Sequence, residues 1–229
     1  MKPTCSHLLR ATLLFAAALL LTARALAADV TEKIQLLPAK DLGAFYSWIE
    51  QQGVGKDPNQ VFTLQDGVLR VAGTAKGYVA TKLEYANYRL VAEYKWGKTA
   101  PDNDSGIFVH CIGPDKAWMT SLEINLATKP KDHSGDLVLL GGPAVKLKVN
   151  GEVKKGFSYL RRRGEINYEK PVGEWNTLEI LCDGGKLQVS INGKVTLEGT
   201  DAEPRAGKIF LQSNKGEIFF GKCELHPLK

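Results

Sequence analysis

Asp104, His110, Glu123 and His133 are the side chains whose types and spacing best suit chemistry in this chain. A carboxylate beside an imidazole can move a proton to and from a reacting atom, and the same groups ligate divalent metals. Glu123 is the most informative of the four. It lies in WMTSLEINLA, residues 118–127, where Leu122, Ile124 and Leu126 alternate with Ser121, Glu123 and Asn125. Strand side chains alternate between faces, so one face here is apolar and a carboxylate stands at the centre of the other. We assign Glu123 as a general base or metal-binding carboxylate and His110 as its partner. His110, Glu123 and His133 are the set that would hold a divalent metal, and no other cofactor is expected. Asp102 and Asp104 are spaced too loosely for a calcium loop. Other chemistries are excluded by their missing signatures: there is no Gly-x-Ser-x-Gly, no phosphate-binding Gly-x-x-x-x-Gly-Lys-Ser/Thr and no Cys-x-x-Cys.

The elements that must position these groups are short strands. In DSGIFVHC, residues 104–111, Ile107, Val109 and Cys111 share one parity, and Gly106, Phe108 and His110 share the other. In YRLVAEYKW, residues 88–96, Leu90, Ala92 and Tyr94 lie opposite Arg89, Val91, Glu93 and Lys95. Each strand therefore pairs a core face with a face mixing charge, amide and aromatic groups. In a curved sheet, Phe108, His110, Ser121 and Glu123 would line a shared hollow. Asp66-Gly67, Asn150-Gly151, Asp183-Gly184 and Asn192-Gly193 separate further strand-like runs, and such dipeptides favour tight hairpins. One short helix is expected near residues 43–52, and a hairpin with a long loop over 142–171. Trp175 reads as core. Many short strands with recurring turns predict an all-β, two-sheet antiparallel sandwich of jelly-roll type.

Residues 1–27 read as a secretory signal. Lys2 and Arg10 precede an apolar run over 11–21, and Ala25-Leu26-Ala27 supplies a small-residue cleavage site. The run is too short for the roughly 20 residues that span a bilayer, so no membrane anchor is expected after cleavage near Ala27. Residues 28–229 then form one domain in a secreted or periplasmic protein. The leader carries three of the 30 basic residues and none of the 25 acids, which lowers the formal charge from +5 to +2. That balance does not describe a nucleic-acid binder. Cys111, Cys182 and Cys223 fit no zinc spacing; an oxidising compartment would allow one disulfide among them, with the pair left open.

Taken in order, several segments resemble the 3-keto-disaccharide hydrolase family over roughly residues 34–228. They are LLPAKDLGAFYSWI, DSGIFVH, WMTSLEINL, HSGDLVLL, KPVGEWNTLEILCDGGKLQVSINGKV and AGKIFLQSNKGEIFFGKCELHPL. Two positions depart from the family pattern: Asn125 stands where the family has Gln, and Gly221 follows Phe220 where it has Arg. The resemblance implies a concanavalin-like jelly roll with a concave sugar-binding sheet. It also implies cleavage of 3-keto-glycosides by C2 deprotonation and β-elimination of the C1 oxygen, followed by hydration. Glu123 and His110 would be catalytic, with Asp104, Phe108, Trp118, Ser121, Asn125 and His133 contacting an oligosaccharide or 3-keto-glycoside. The alternative is a non-catalytic carbohydrate-binding module of the cell envelope.

Overall fold

In the computed structural model, which describes residues 27–38, 40–97, 102–128, 134–161 and 166–229, the chain forms two packed antiparallel sheets. In chain order the strands are β1 (Ile34–Gln35), β2 (Phe45–Ile49), β3 (Gly53–Val54), β4 (Phe62–Gln65), β5 (Val68–Val71), β6 (Gly77–Thr81), β7 (Tyr88–Trp96), β8 (Asp104–Ile112) and β9 (Thr120–Ala127). There follow β10 (Leu137–Leu140), β11 (Lys146–Val149), β12 (Glu152–Lys155), β13 (Ser158–Leu160), β14 (Asn176–Asp183), β15 (Lys186–Ile191), β16 (Lys194–Glu203), β17 (Lys208–Ser213) and β18 (Ile218–His226). One sheet has the order β13-β10-β9-β8-β17-β6-β2-β3. The other runs β12-β11-β16-β15-β14-β7-β18-β5-β4, with β1 paired to β18.

Turn chemistry and alternation account for this architecture. Asp66-Gly67, Asn150-Gly151 and Asn192-Gly193 join β4 to β5, β11 to β12 and β15 to β16, with positive φ at both residues of each pair. That geometry matches the twist of a two-residue hairpin. The interlayer is filled from one side by Val79, Ile107, Val109, Leu122, Ile124, Leu126, Leu137 and Leu211. Leu69, Leu90, Ala92, Leu178, Ile180, Val189 and Phe220 fill it from the other. Leu122, Ile124 and Leu126 are fully buried, each worth about 1.5–3 kcal/mol over exposure. A one-residue slip of β9 would exchange them for Ser121, Glu123 and Asn125, so the register is firmly set.

Three expectations are corrected here. The segment 43–52 is strand β2 and a turn, not helix; it is extended because it pairs along β6 from Phe45–Thr81 to Ile49–Gly77. Trp175 is not interlayer core: it lies over Gly221, with the Lys95 ammonium 4.8 Å from its ring. A Cβ at position 221 would come 2.8 Å from that indole, so the glycine accommodates a tryptophan. Cys111, Cys182 and Cys223 are all free and buried, and burial pushes the Cys182 and Cys223 thiols up to about 12. The hairpin expected within 142–171 is present as β11–β12.

Candidate functional site

The outer face of the eight-stranded sheet carries most of the candidate residues, and its register sets which groups reach it. Phe108 opposes Glu123, and Gly106 opposes Asn125, across β8 and β9. Phe108 also opposes Phe210 across β8 and β17. Glu123 and Asn125 are each 5% exposed and lie on the outer side, away from the interlayer leucines. Gly106 leaves room for the carboxylate: a Cβ there would come 3.1 Å from Glu123 Oε1 and 3.1 Å from the Ile124 carbonyl oxygen.

The alternation on β8 breaks at His110. From Val109 to Ile112 the strand advances three residues while β9 advances two, from Leu122 to Thr120. The same extra residue appears against β17, where Lys208 opposes Cys111 and Phe210 opposes Phe108. This is a β-bulge, with His110 at φ 53°. Gly207 permits it, because a Cβ there would meet the His110 carbonyl carbon at 2.5 Å. The bulge sends His110 toward the interlayer and Cys111 to the outer face. The His110 ring packs edge-on to Tyr88 at 5.7 Å, and its Nδ1–H donates to the Pro204 carbonyl at 2.9 Å. Burial lowers its pKa, favouring the neutral ring. The pairing of His110 with Glu123 is therefore corrected, and so is the His110–Glu123–His133 metal set, because the two described members lie on opposite sides of the sheet. His133 itself lies outside the described residues. Among those residues, no group of three or more metal-ligating side chains comes together.

The outer face has two halves. Over β8, β17, β6 and β2, Phe108, Phe210, Tyr78 and Trp48 form a row of stacked rings, with centroids 6.3, 4.1 and 5.2 Å apart in that order. The segment from Gly113 to Met119 caps this row. Tyr46 and Tyr78 hydroxyls both donate to Asp115 Oδ1 at 2.8 Å, and Lys208 Nζ donates to the Tyr46 oxygen at 3.0 Å. Burial, and then the Asp115 carboxylate, pushes both phenols well above their usual range. Phe108 is 1% exposed, and Ser121 is fully buried with its hydroxyl donating to the Met119 carbonyl at 3.0 Å. Both expected ligand contacts are thus corrected to floor and cap packing.

The other half is open. A cavity of about 550 Å³ is lined by Glu123, Asn125, Asp104, Trp118, Tyr159 and Asn214, with Val138, Leu140 and Phe157 as apolar wall. Trp118 is 47% and Phe157 77% exposed, so two aromatic faces are available to stack on a ligand. Tyr159 is fixed from several sides. Its hydroxyl donates to Asp136 Oδ2 at 2.8 Å and accepts from Asn125 Nδ2 at 3.4 Å, and the Arg161 guanidinium lies 4.9 Å from its ring. Asp136 is fully buried, with Arg161 Nη1 at 3.6 Å. Asp102, by contrast, pairs with Lys215.

The structure thus brings Asp104, Trp118, Glu123 and Asn125 to one cavity and separates His110, Phe108 and Ser121 from it. Sequence reasoning missed Tyr159, Phe157 and Asn214. The alternating FSYL at 157–160 was the available signal for the first two, obscured by the irregular stretch around it. The residue at 221 lies beneath Trp175 on β18 of the other sheet, so the departure from the family pattern there does not touch the cavity.

Comparisons with known proteins agree with this architecture. A candidate glycosyl hydrolase from Parabacteroides distasonis is 22% identical with a TM-score of 0.59, covering 86% of this chain and 100% of its own. The Bacillus licheniformis β-glucanase is 10% identical with a TM-score of 0.55, covering 86% and 99%. The metal-free carbohydrate recognition domain of Emp46p is 11% identical with a TM-score of 0.56, covering 86% and 96%. At these identities the likeness establishes the lectin-like and glycosidase-like jelly-roll sandwich alone. No curated protein matches the sequence. The family model for a 3-keto-α-glucoside-1,2-lyase-like domain matches residues 32–226, the whole of the two-sheet sandwich, and the chain belongs to that family.

Proposed function

We propose that this protein is an exported enzyme that cleaves the glycosidic bond of 3-keto-glycosides by elimination. The observation that carries the reading is a nearly buried carboxylate, Glu123, on the floor of a sugar-sized cavity with two aromatic walls. A ketone at C3 acidifies the C2 proton, because the enolate left behind is stabilised by the carbonyl. Glu123 takes that proton. The electron pair forms the C1–C2 double bond, and the C1 oxygen leaves as an alcohol once it receives a proton. Water then adds across the double bond to give the free 3-keto sugar. The side-chain amides of Asn125 and Asn214, which line the cavity with Glu123, are the donors available to an oxygen that gains charge, and Tyr159, whose own proton goes to Asp136, holds Asn125 in place. This chemistry needs one base, unlike the paired carboxylates that flank an oxocarbenium-like transition state.

Export is part of the same reading. Ala28 already bridges Tyr85, and Val30 is buried in the core, so the sandwich starts just beyond the proposed cleavage site at Ala27. No helix among the described residues is long and apolar enough to cross a membrane. The exposed faces of Trp118 and Phe157 favour a second reading, a carbohydrate-binding module that holds the sugar without reacting. Incubating the protein with a 3-keto-disaccharide and following release of monosaccharide separates the two. The enzyme releases sugar and Glu123→Gln does not; sugar binding without any release would leave the module.

A further inference from the structure

Beside the main cavity, behind Trp118, lies a small polar recess lined by Lys76, Gly77, Ala117, Trp118, Gln212 and Ser213, and closed by Asn214, which it shares with that cavity. Gln212 is 5% exposed, and its Oε1 is buried with no hydrogen-bond partner among the described residues. Its position is tightly held. Leu211 opposes Ile107 on β8, which places residue 212 beside Gly106, and Ser105 Oγ donates to the Gln212 carbonyl at 2.8 Å. On its other flank Gln212 opposes Tyr78 of the capped aromatic row. The amide thus stands at the boundary between the dry half of the face and the open half. Only the hydrogen of Gly106 separates its row from Asn125.

A buried acceptor without a donor costs about 1–3 kcal/mol. Among the described residues nothing recovers that cost for Gln212, although Ser105, Ser213 and Lys76 are all close in sequence or register. An amide oxygen accepts only from a donor. A ketone or ether oxygen cannot satisfy it, whereas a hydroxyl group can. We propose that Gln212 is a specificity-determining residue whose Oε1 accepts a hydrogen bond from a free sugar hydroxyl, so that the site selects glycosides carrying that hydroxyl. The inference rests on the sugar-binding reading of the cavity, but not on its chemistry. Trp118 borders both spaces and reports occupancy through its fluorescence.

The test is titration of the full protein with a 3-keto-disaccharide, the parent disaccharide and a series of its monodeoxy derivatives, followed by tryptophan fluorescence and calorimetry. Gln212→Leu is compared with wild type, and Gln212→Met serves as a second, flexible isostere. The affinity of both variants for the hydroxylated sugars is expected to fall about tenfold, the scale of one lost hydrogen bond to a buried group. Their melting temperatures are expected to stay level or rise, since an unsatisfied acceptor has been removed; a merely structural glutamine would lower them. One monodeoxy sugar is expected to bind wild type and Gln212→Leu equally. Binding that is unchanged in both variants, a loss of affinity accompanied by a lowered melting temperature in both, or no sugar binding by wild type would overturn the proposal. Wild-type binding without release from the 3-keto-disaccharide would instead overturn the elimination chemistry and leave Gln212's role standing.

Discussion

The two halves of one sheet face have been put to opposite uses. Over β6 and β17, Tyr78 and Phe210 stack at 4.1 Å under a segment that Asp115 pins through two phenols. Over β9 and β10, the same face stays open, and Glu123 and Asn125 meet a cavity instead of a cap. The outer faces differ in residue type, aromatic at Tyr78 and Phe210 and polar at Glu123 and Asn125. Between them Gly106 has no side chain to bridge the halves, and Trp118, at the end of the cap, forms a wall of the cavity. The capped half therefore supports the open half, holding Trp118 as an aromatic wall of the cavity. A binding site built this way would gain precision from rigid neighbours.

The comparison is broken most severely at Glu123. Glu123→Gln should lower release of monosaccharide from a 3-keto-disaccharide by about a thousandfold, the scale of a lost general base, with sugar affinity retained in the titration. Rates close to wild type would move the base elsewhere in the cavity. The next largest effect is expected on the capped side. Asp115→Ala leaves Tyr46 and Tyr78 without their shared acceptor, and about 2 kcal/mol of stability should be lost in urea unfolding. If the cap positions Trp118, sugar affinity falls with it; unchanged affinity would make the two halves independent. Gly106→Ala sharpens the boundary between them. The new methyl would crowd Glu123 Oε1 at 3.1 Å, and a displacement of a few tenths of an ångström should cost about tenfold in kcat, with little change in melting temperature.

The smallest effect belongs to His110, on the reverse side of the sheet. Burial lowers its pKa from 6.5. As pH falls, the unfolded chain takes up the proton first, so stability is complete above about 6.5 and declines below it until the folded-state pKa is reached, at no more than about 1.4 kcal/mol per pH unit. His110→Asn keeps a residue type that tolerates positive φ and removes the titration. The difference in unfolding free energy between pH 7.5 and 5.5 should be smaller in that variant than in wild type. An unchanged difference would place the ring in contact with water.

Much of this was legible in local pattern. Alternation alone puts Leu122, Ile124 and Leu126 in the interlayer and Glu123 on the other side, because strand side chains repeat every two residues and burying the wrong set would leave a carboxylate unsolvated. The Asn-Gly and Asp-Gly turns mark the hairpins for an equally local reason, the positive φ they tolerate. His110 escaped that logic. One additional residue in β8, measured only against β9 and β17, reverses its direction, and a bulge is a property of paired strands, not of a single one. Tertiary packing also decided that Tyr88–Trp96 lies in the opposite sheet from Asp104–Ile112, that a loop covers Phe108 and Ser121, and that Tyr159 returns from an irregular stretch to join Asn125. Parity assigns a residue to a face; only the assembled sheets determine which face is covered, and by what.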